Sequence, residues 1–193
     1  KGVMLSHKNI IDNIFKTDKT LDLSDGNKRI ISYLPICHIF ERAASYYYQY
    51  LGYQVYFAES IELLGDNIRE IKPNFLAVVP RLLEKIFDKI VAKGSTLSGI
   101  KKTLFFWAIA LGEAYEPYGK NGKFYAFKLK IARKLIFSKW QEALGGNLEF
   151  MLSGSAPMQD RLIRIFLAAG IPIFEGYGMT ESSPAITVND LRN

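Results

Sequence analysis

Cysteine and histidine are both scarce. Cys37 is the single cysteine, and His7 and His38 are the only histidines among 193 residues. A lone cysteine excludes an internal disulfide framework and a multi-cysteine metal site. Two histidines leave little for zinc chemistry. No apolar run reaches the roughly 18 residues of a membrane-spanning helix, no signal-peptide pattern is visible in these residues, and no stretch is of low complexity. The run Tyr46-Tyr47-Tyr48-Gln49-Tyr50 has no interleaved basic residues. Stacking along a phosphate backbone would require them, so no nucleic-acid partner is expected. These absences point to a reducing, cytoplasmic setting.

What is present suits a folded core. The apolar fraction is 49%, and the length fits one domain or a large piece of one. Charge is uneven: residues 101–139 carry 9 Lys/Arg against 2 Asp/Glu, and the net charge of the whole chain is +6. A basic segment can attract phosphates or anionic lipid, or be a solvated face. The ends read as cut, because the chain opens on Lys1-Gly2-Val3 without Met and closes on Thr187-Val188-Asn189-Asp190 without a terminating element.

Apolar runs alternate with amphipathic ones. Ser6 is placed to cap a helix in which Ile10, Ile11, Ile14 and Phe15 share a face. Strands are predicted at 29–34, 54–57, 75–79, 148–152 and 170–174, and helices at 61–71, 82–93 and 159–169. Pro80 fits a first helical position. Residues 95–144 hold no convincing strand and read as two long helices, with Phe124, Phe127, Ile131 and Leu135 as a core-facing stripe and Lys123, Lys130 and Lys134 on another face. Phe105-Phe106-Trp107 beside this charge raises contact with a membrane surface as an alternative. Strands alternating with helices predict an α/β fold, a mostly parallel sheet flanked by helices.

Three strand exits carry candidate chemistry. The organising one is Glu175-Gly176-Tyr177-Gly178-Met179-Thr180-Glu181, read as a glycine-bracketed turn after the fifth strand. Open α/β sheets hold ligands at such exits. The glycines allow close approach to the main chain, and Tyr177 offers a flat face for a base. Thr180 offers a hydroxyl, and Glu181 a hard oxygen for Mg²⁺. Ser153-Gly154-Ser155-Ala156-Pro157 is a second, small-residue exit leading into a helix start with free N–H groups. The third is Pro35-Ile36-Cys37-His38, where His38 is either a pocket residue or a hydrogen-bonded helix start, and position alone favours the helix start. Glu41 fits a first-turn acid that complements the helix dipole. Arg81 is equally suited to a ligand phosphate and to Glu84.

Taken together and in order, these stretches closely resemble the AMP-forming acyl-CoA synthetases, and within them the long-chain fatty acid–CoA ligases. Lys1-Gly2-Val3-Met4-Leu5-Ser6-His7 is similar to the tail of the family's phosphate loop, Leu34 to Glu41 to its Pro-x-x-His core, Ser153 to Pro157 to its adenine-side turn, and Glu175 to Glu181 to its Gly-Tyr-Gly-x-Thr-Glu signature. Val79-Pro80-Arg81 and the basic helical segment at 95–144 are similar to the long-chain branch.

The resemblance implies ATP, Mg²⁺, a fatty acid and coenzyme A as substrates and cofactors, with activation of the acid as acyl-AMP and transfer to the thiol. Under it, residues 1–193 form the central portion of the AMP-binding domain. Tyr177 stacks on adenine, with Gly154, Ser155, Ala156 and Pro157 opposite, and the nucleotide site continues through Glu175, Gly176, Gly178, Met179 and Thr180. Thr180 meets the α-phosphate, Glu181 holds Mg²⁺, Lys1 is the phosphate-loop lysine and His38 lies near the acyl carbonyl. The phosphate-loop glycines are expected upstream of Lys1. The ribose-binding Asp, the hinge and the C-terminal domain with its Lys are expected beyond Asn193, so these residues alone are expected to be inactive. Ser155 stands where long-chain relatives often carry Gly, with a small effect expected.

Overall fold

The computed structural model describes residues 2–21, 23 and 26–189. The elements run α1 (His7–Leu21), β1 (Arg29–Ser32), α2 (Ile39–Tyr50), β2 (Gln54–Phe57), α3 (Leu64–Ile71), β3 (Phe75–Val78), α4 (Pro80–Ser95), α5 (Gly99–Glu113) and α6 (Gly122–Ala132). A π-helical turn (Arg133–Phe137) follows without a break, then α7 (Ser138–Ala143), β4 (Phe150–Ser153), α8 (Asp160–Ala168), β5 (Ile173–Gly178), a 3₁₀ turn (Thr180–Ser182) and β6 (Ala185–Val188).

The six strands form one sheet in the order β2-β1-β3-β4-β5-β6. The first four pairings are parallel, and β5 with β6 is antiparallel. The order reverses at β1, which makes the exit of β1 a topological switch point. β2 is an edge strand, and Phe57 on it is exposed.

Strict alternation divides the core. Ile30, Phe75, Phe150, Leu152 and Phe174 point to one face, where they meet Ile14 of α1 and Tyr47 and Tyr48 of α2. Ile31, Leu76, Val78, Met151 and Ile173 point to the other, where α3 through α8 pack. This period of two, with both faces covered, is what an interior parallel sheet requires. On the first face, Phe75, Phe150 and Phe174 form a row of rings with 4.8 Å between neighbouring centroids.

Local chemistry explains the helix starts. The Ser6 hydroxyl accepts from the Asn9 N–H at 3.1 Å, and Asn9 Oδ1 accepts from the Ser6 N–H at 3.0 Å, a reciprocal cap. Pro80 occupies the first position of α4 as expected. The helix expected from Ile61 begins at Leu64, because the Leu63 N–H is taken by the Ser60 hydroxyl.

Three expectations are corrected. β5 does not end before a glycine turn but continues through Gly178, because β6, unread in the sequence, returns antiparallel and supplies main-chain partners. The stripe of Phe124, Phe127, Ile131 and Leu135 faces outward. Leu129, Ala132, Phe137 and Trp140 face the core instead, and the π turn keeps the last two in phase with the first two. Phe105 is buried and Trp107 packs against the core, in line with core packing rather than the membrane-surface alternative, and Phe106 of that trio is exposed. On α1, Ile14 is buried while Ile11 and Phe15 stay exposed.

Glu41 is a first-turn acid of α2, as its position suggests, and it is also buried. It is 1% exposed and accepts a short hydrogen bond from the Ser32 hydroxyl. Burial raises its carboxyl above the usual range, against the smaller opposing effect of the Ser32 bond. The folded state therefore binds a proton that the unfolded state releases more readily, so Glu41 weakens folding as pH rises through its folded pKa. Glu41→Gln, which keeps the shape without the charge, should flatten this loss. Urea unfolding from the acid side to neutrality should show wild-type stability declining relative to the variant as pH rises.

Candidate active site

The exits of β1, β4 and β5 converge on a cavity of about 280 Å³. His38, Gly154, Ser155, Gly176, Tyr177, Gly178, Met179 and Thr180 line its mouth, and Phe75 and Leu152 of the sheet face form part of its floor. Three stretches of sequence, the first of them more than a hundred residues from the other two, thus meet at one opening.

Each is held by identifiable contacts. The His38 N–H donates to the Pro35 carbonyl at 2.9 Å, which turns the chain into α2. His38 is the N-cap residue, yet its imidazole makes no capping bond, so the ring is left to the cavity rather than spent on the helix start. Gly154 lies under the Phe40 ring, where an added Cβ would sit 3.3 Å from it. Ser155 has φ +75°, a left-handed conformation that favours glycine. A glycine at this position would relieve that strain while adding unfolded-state freedom, two opposing terms that keep the net effect small.

The signature strand is tied on both sides. Glu175 accepts from the Met158 N–H at 3.2 Å, which draws the small-residue exit against β5. The Glu175 N–H donates to Asn189 Oδ1 at 2.6 Å. Neither Gly176 nor Gly178 has a positive φ. Gly178 is needed because the Pro184 carbonyl oxygen would lie 2.0 Å from an added Cβ, whereas at Gly176 the nearest atom would be 3.8 Å away. Gly178 serves close packing of a hairpin, not a turn.

Asn13 went unread as a functional residue. Its amide donates to the Ser182 carbonyl at 3.2 Å and the Ala185 carbonyl at 2.7 Å, and its oxygen accepts from the Ala185 N–H at 3.3 Å. It clamps the Thr180–Ser182 turn to α1. The available signal was a poor helix former set between Ile10 and Ile14 on an apolar face.

The remaining expected residues are less central. Ala156 and Pro157 are exposed and do not line the cavity, and Glu175 acts as a tie. Lys1 lies outside the described residues. Arg81 pairs with Glu84 at 3.5 Å on the surface. Tyr177 is 63% exposed and lines the cavity. Glu181 is exposed in the 3₁₀ turn, and among the described residues no group of three or more His, Cys, Asp or Glu could enclose a metal ion. One free carboxylate beside a hydroxyl fits Mg²⁺, which keeps waters and takes substrate phosphates as its other ligands.

A family model described as AMP-binding enzyme matches residues 1–193. The human long-chain-fatty-acid–CoA ligase ACSBG2 is 33% identical over 199 residues, covering 100% of this chain and 30% of that protein. Long-chain-fatty-acid–CoA ligase 5 of Mus musculus is 34% identical, covering 97% of this chain and 27% of the mouse protein. The chain thus spans less than a third of the length of the curated relatives it matches. Among solved structures, a long-chain-fatty-acid-CoA ligase from Archaeoglobus fulgidus superposes with a TM-score of 0.65 at 19% identity, over 100% of this chain and 31% of that one. The o-succinylbenzoate coenzyme A synthetase of Bacillus subtilis, in complex with ATP and magnesium ion, gives 0.62 at 15% identity, over 100% and 30%.

The hairpin makes a direct prediction. Gly178→Ala should cost about 1–3 kcal/mol, the range for a forced clash in a packed region. Gly176→Ala should change stability by less than about 1 kcal/mol, the Ala–Gly propensity difference. Thermal unfolding of both variants measures the contrast, and equal losses would remove the Pro184 contact as the reason for Gly178.

Proposed function

The chain belongs to the AMP-binding enzyme family, and from that membership we propose that it is the central part of the nucleotide- and acyl-binding domain of a long-chain fatty acid–CoA ligase. A fatty carboxylate oxygen attacks the α-phosphorus of ATP, and the bond to the leaving pyrophosphate breaks. The thiol of coenzyme A then attacks the acyl carbonyl, loses its proton and displaces AMP. The observation that carries this reading is one opening where an exposed tyrosine ring, a hydroxyl and an uncommitted imidazole stand over an apolar floor.

In this reading the adenine stacks on Tyr177, with Gly154 and Ser155 across from it and Ala156 and Pro157 at the outer rim. Gly176, Gly178 and Met179 shape the pocket, and Glu175 holds its two sides together. Thr180 donates to the α-phosphate, and His38 faces the carboxylate as it becomes the acyl carbonyl. Lys1 supplies a further phosphate contact. Bound Mg²⁺ would neutralise charge on the phosphates, and Glu181 is the residue that would hold it. In-line attack at phosphorus asks the protein for position and charge balance rather than a covalent group, which suits this set.

The lining favours a fatty acid over an amino acid. Among the described residues, no Asp or Glu lines the cavity to meet an α-amine. The outward stripe of Phe124, Phe127 and Ile131 on the lysine-rich α6, continued by Leu135 in the π turn, supports peripheral contact with an anionic membrane as an added property. Vesicle co-sedimentation that survives high salt is expected, and binding abolished by salt would reduce it to a basic face.

Residues 1–193 alone should not complete the reaction, and fatty-acid-dependent ATP–pyrophosphate exchange by them alone would refute that. In the full-length protein, Tyr177→Ala should raise the KM for ATP about 10- to 100-fold, the worth of about 1–3 kcal/mol of base stacking. Glu181→Gln should lower kcat with the fold intact, and unchanged turnover would remove Glu181 from the metal role.

A further inference from the structure

Thr180 and Glu181 sit in the 3₁₀ turn at the tip of the β5–β6 hairpin, and both are exposed. The main chain of the turn closes on itself. The Ser182 N–H donates to the Met179 carbonyl at 3.1 Å, and the Ser183 N–H to the Thr180 carbonyl at 3.2 Å. These bonds set its shape, but a turn closed on itself can still shift as a unit on its hairpin. β6 is the last strand in the sheet order, with no further strand beside it among the described residues.

Asn13 supplies a support from outside the hairpin, and it uses both ends of its side-chain amide to do so. The nitrogen donates to the Ala185 carbonyl at 2.7 Å and to the Ser182 carbonyl at 3.2 Å, while the oxygen accepts from the Ala185 N–H at 3.3 Å. It thus pairs with both main-chain groups of Ala185, as the peptide of a neighbouring strand would. A carboxylate of the same shape would lack both donors. The helix that carries Asn13 is itself anchored, because the next residue, Ile14, is buried against the sheet face. In the chain, α1 follows Lys1, which the proposed function also assigns to the phosphates. One helix therefore links the two stretches that meet the phosphates in that reading.

We propose that Asn13 is a positioning residue for the activation step: by clamping the 180–182 turn to α1, it fixes where Thr180 and Glu181 stand relative to the reacting phosphate. This rests on the reading of the protein as an acid-activating ligase. Asn13 acts through the turn and not on the substrate. Its loss leaves the adenine platform at Tyr177 in place and misplaces the groups that serve the reacting centre.

The test is acid-dependent ATP–pyrophosphate exchange by the full-length protein, which isolates the activation step. Asn13→Ala should lower kcat about 10- to 100-fold, the range for a small misplacement of reacting groups. The KM values for ATP and for the acid should move less than about threefold, since the lost interaction serves the transition state. Asn13→Asp, which sets carboxylate oxygens against two carbonyls, should fall at least as far; an Asp variant as active as the wild type would reduce Asn13 to a space-filling residue and overturn the proposal. Hydrogen exchange gives a readout independent of turnover: in both variants residues 180–186 should exchange about tenfold faster while α2 is unchanged. If neither variant folds, the wild-type protein still decides, because an Ala185 N–H that exchanges at the rate of a free amide would overturn the clamp. Folded variants with wild-type kcat would overturn the positioning role and leave the ligase reading intact. Wild-type protein with no acid-dependent exchange would overturn both.

Discussion

Three phenylalanine rings across the middle of the sheet hold this architecture open. Phe75, Phe150 and Phe174 come from three parallel strands and pack as tilted rings, 4.8 Å between neighbouring centroids, on the face that α1 and α2 cover. Because β-strand side chains alternate, committing these rings to one face commits Leu76, Met151 and Ile173 to the other. A one-residue slip in any of the three strands would exchange the two sets. The ring row also gives α1 and α2 a broad floor on which to rest without closing onto each other, and the cavity occupies the space left between them.

The strands were legible because they are short, continuous apolar runs punctuated by Gly and Pro. Most helices were legible from their period. β6 was not, since Ile186 is exposed and its extended form depends on pairing with β5. The α6 stripe shows the limit of periodicity: two apolar faces run along that helix, and the sequence does not say which one meets α8 and the sheet. The burial of Glu41 went unread for a related reason. Its place in the first turn is visible in the sequence, but its burial comes from β1 and from the tyrosines around it.

The site was legible as an ordered set of strand exits, and the fold brings His38, Ser155, Tyr177 and Thr180 to one opening. Its supports were not. Asn13 reaches residues about 170 positions away, and nothing in its neighbourhood announces the hairpin it clamps. Gly178 shows that a glycine read for its openness to a ligand can be required by the chain itself, since the nearest constraint on it is the protein's own Pro184 carbonyl.

The π turn between α6 and α7 makes chain length at that point a rotational setting. An α-helix turns about 100° per residue, and the turn at Arg133–Phe137 absorbs one extra residue, keeping Phe137 and Trp140 over the same core as Leu129 and Ala132. Removing a single residue there would wind the segment into ordinary α-helix and swing the Trp140 indole out of its cage of Phe87, Phe105, Phe137 and Phe166. Descendants of this gene should therefore tolerate indels in the connection at 114–121 far more readily than in these five positions.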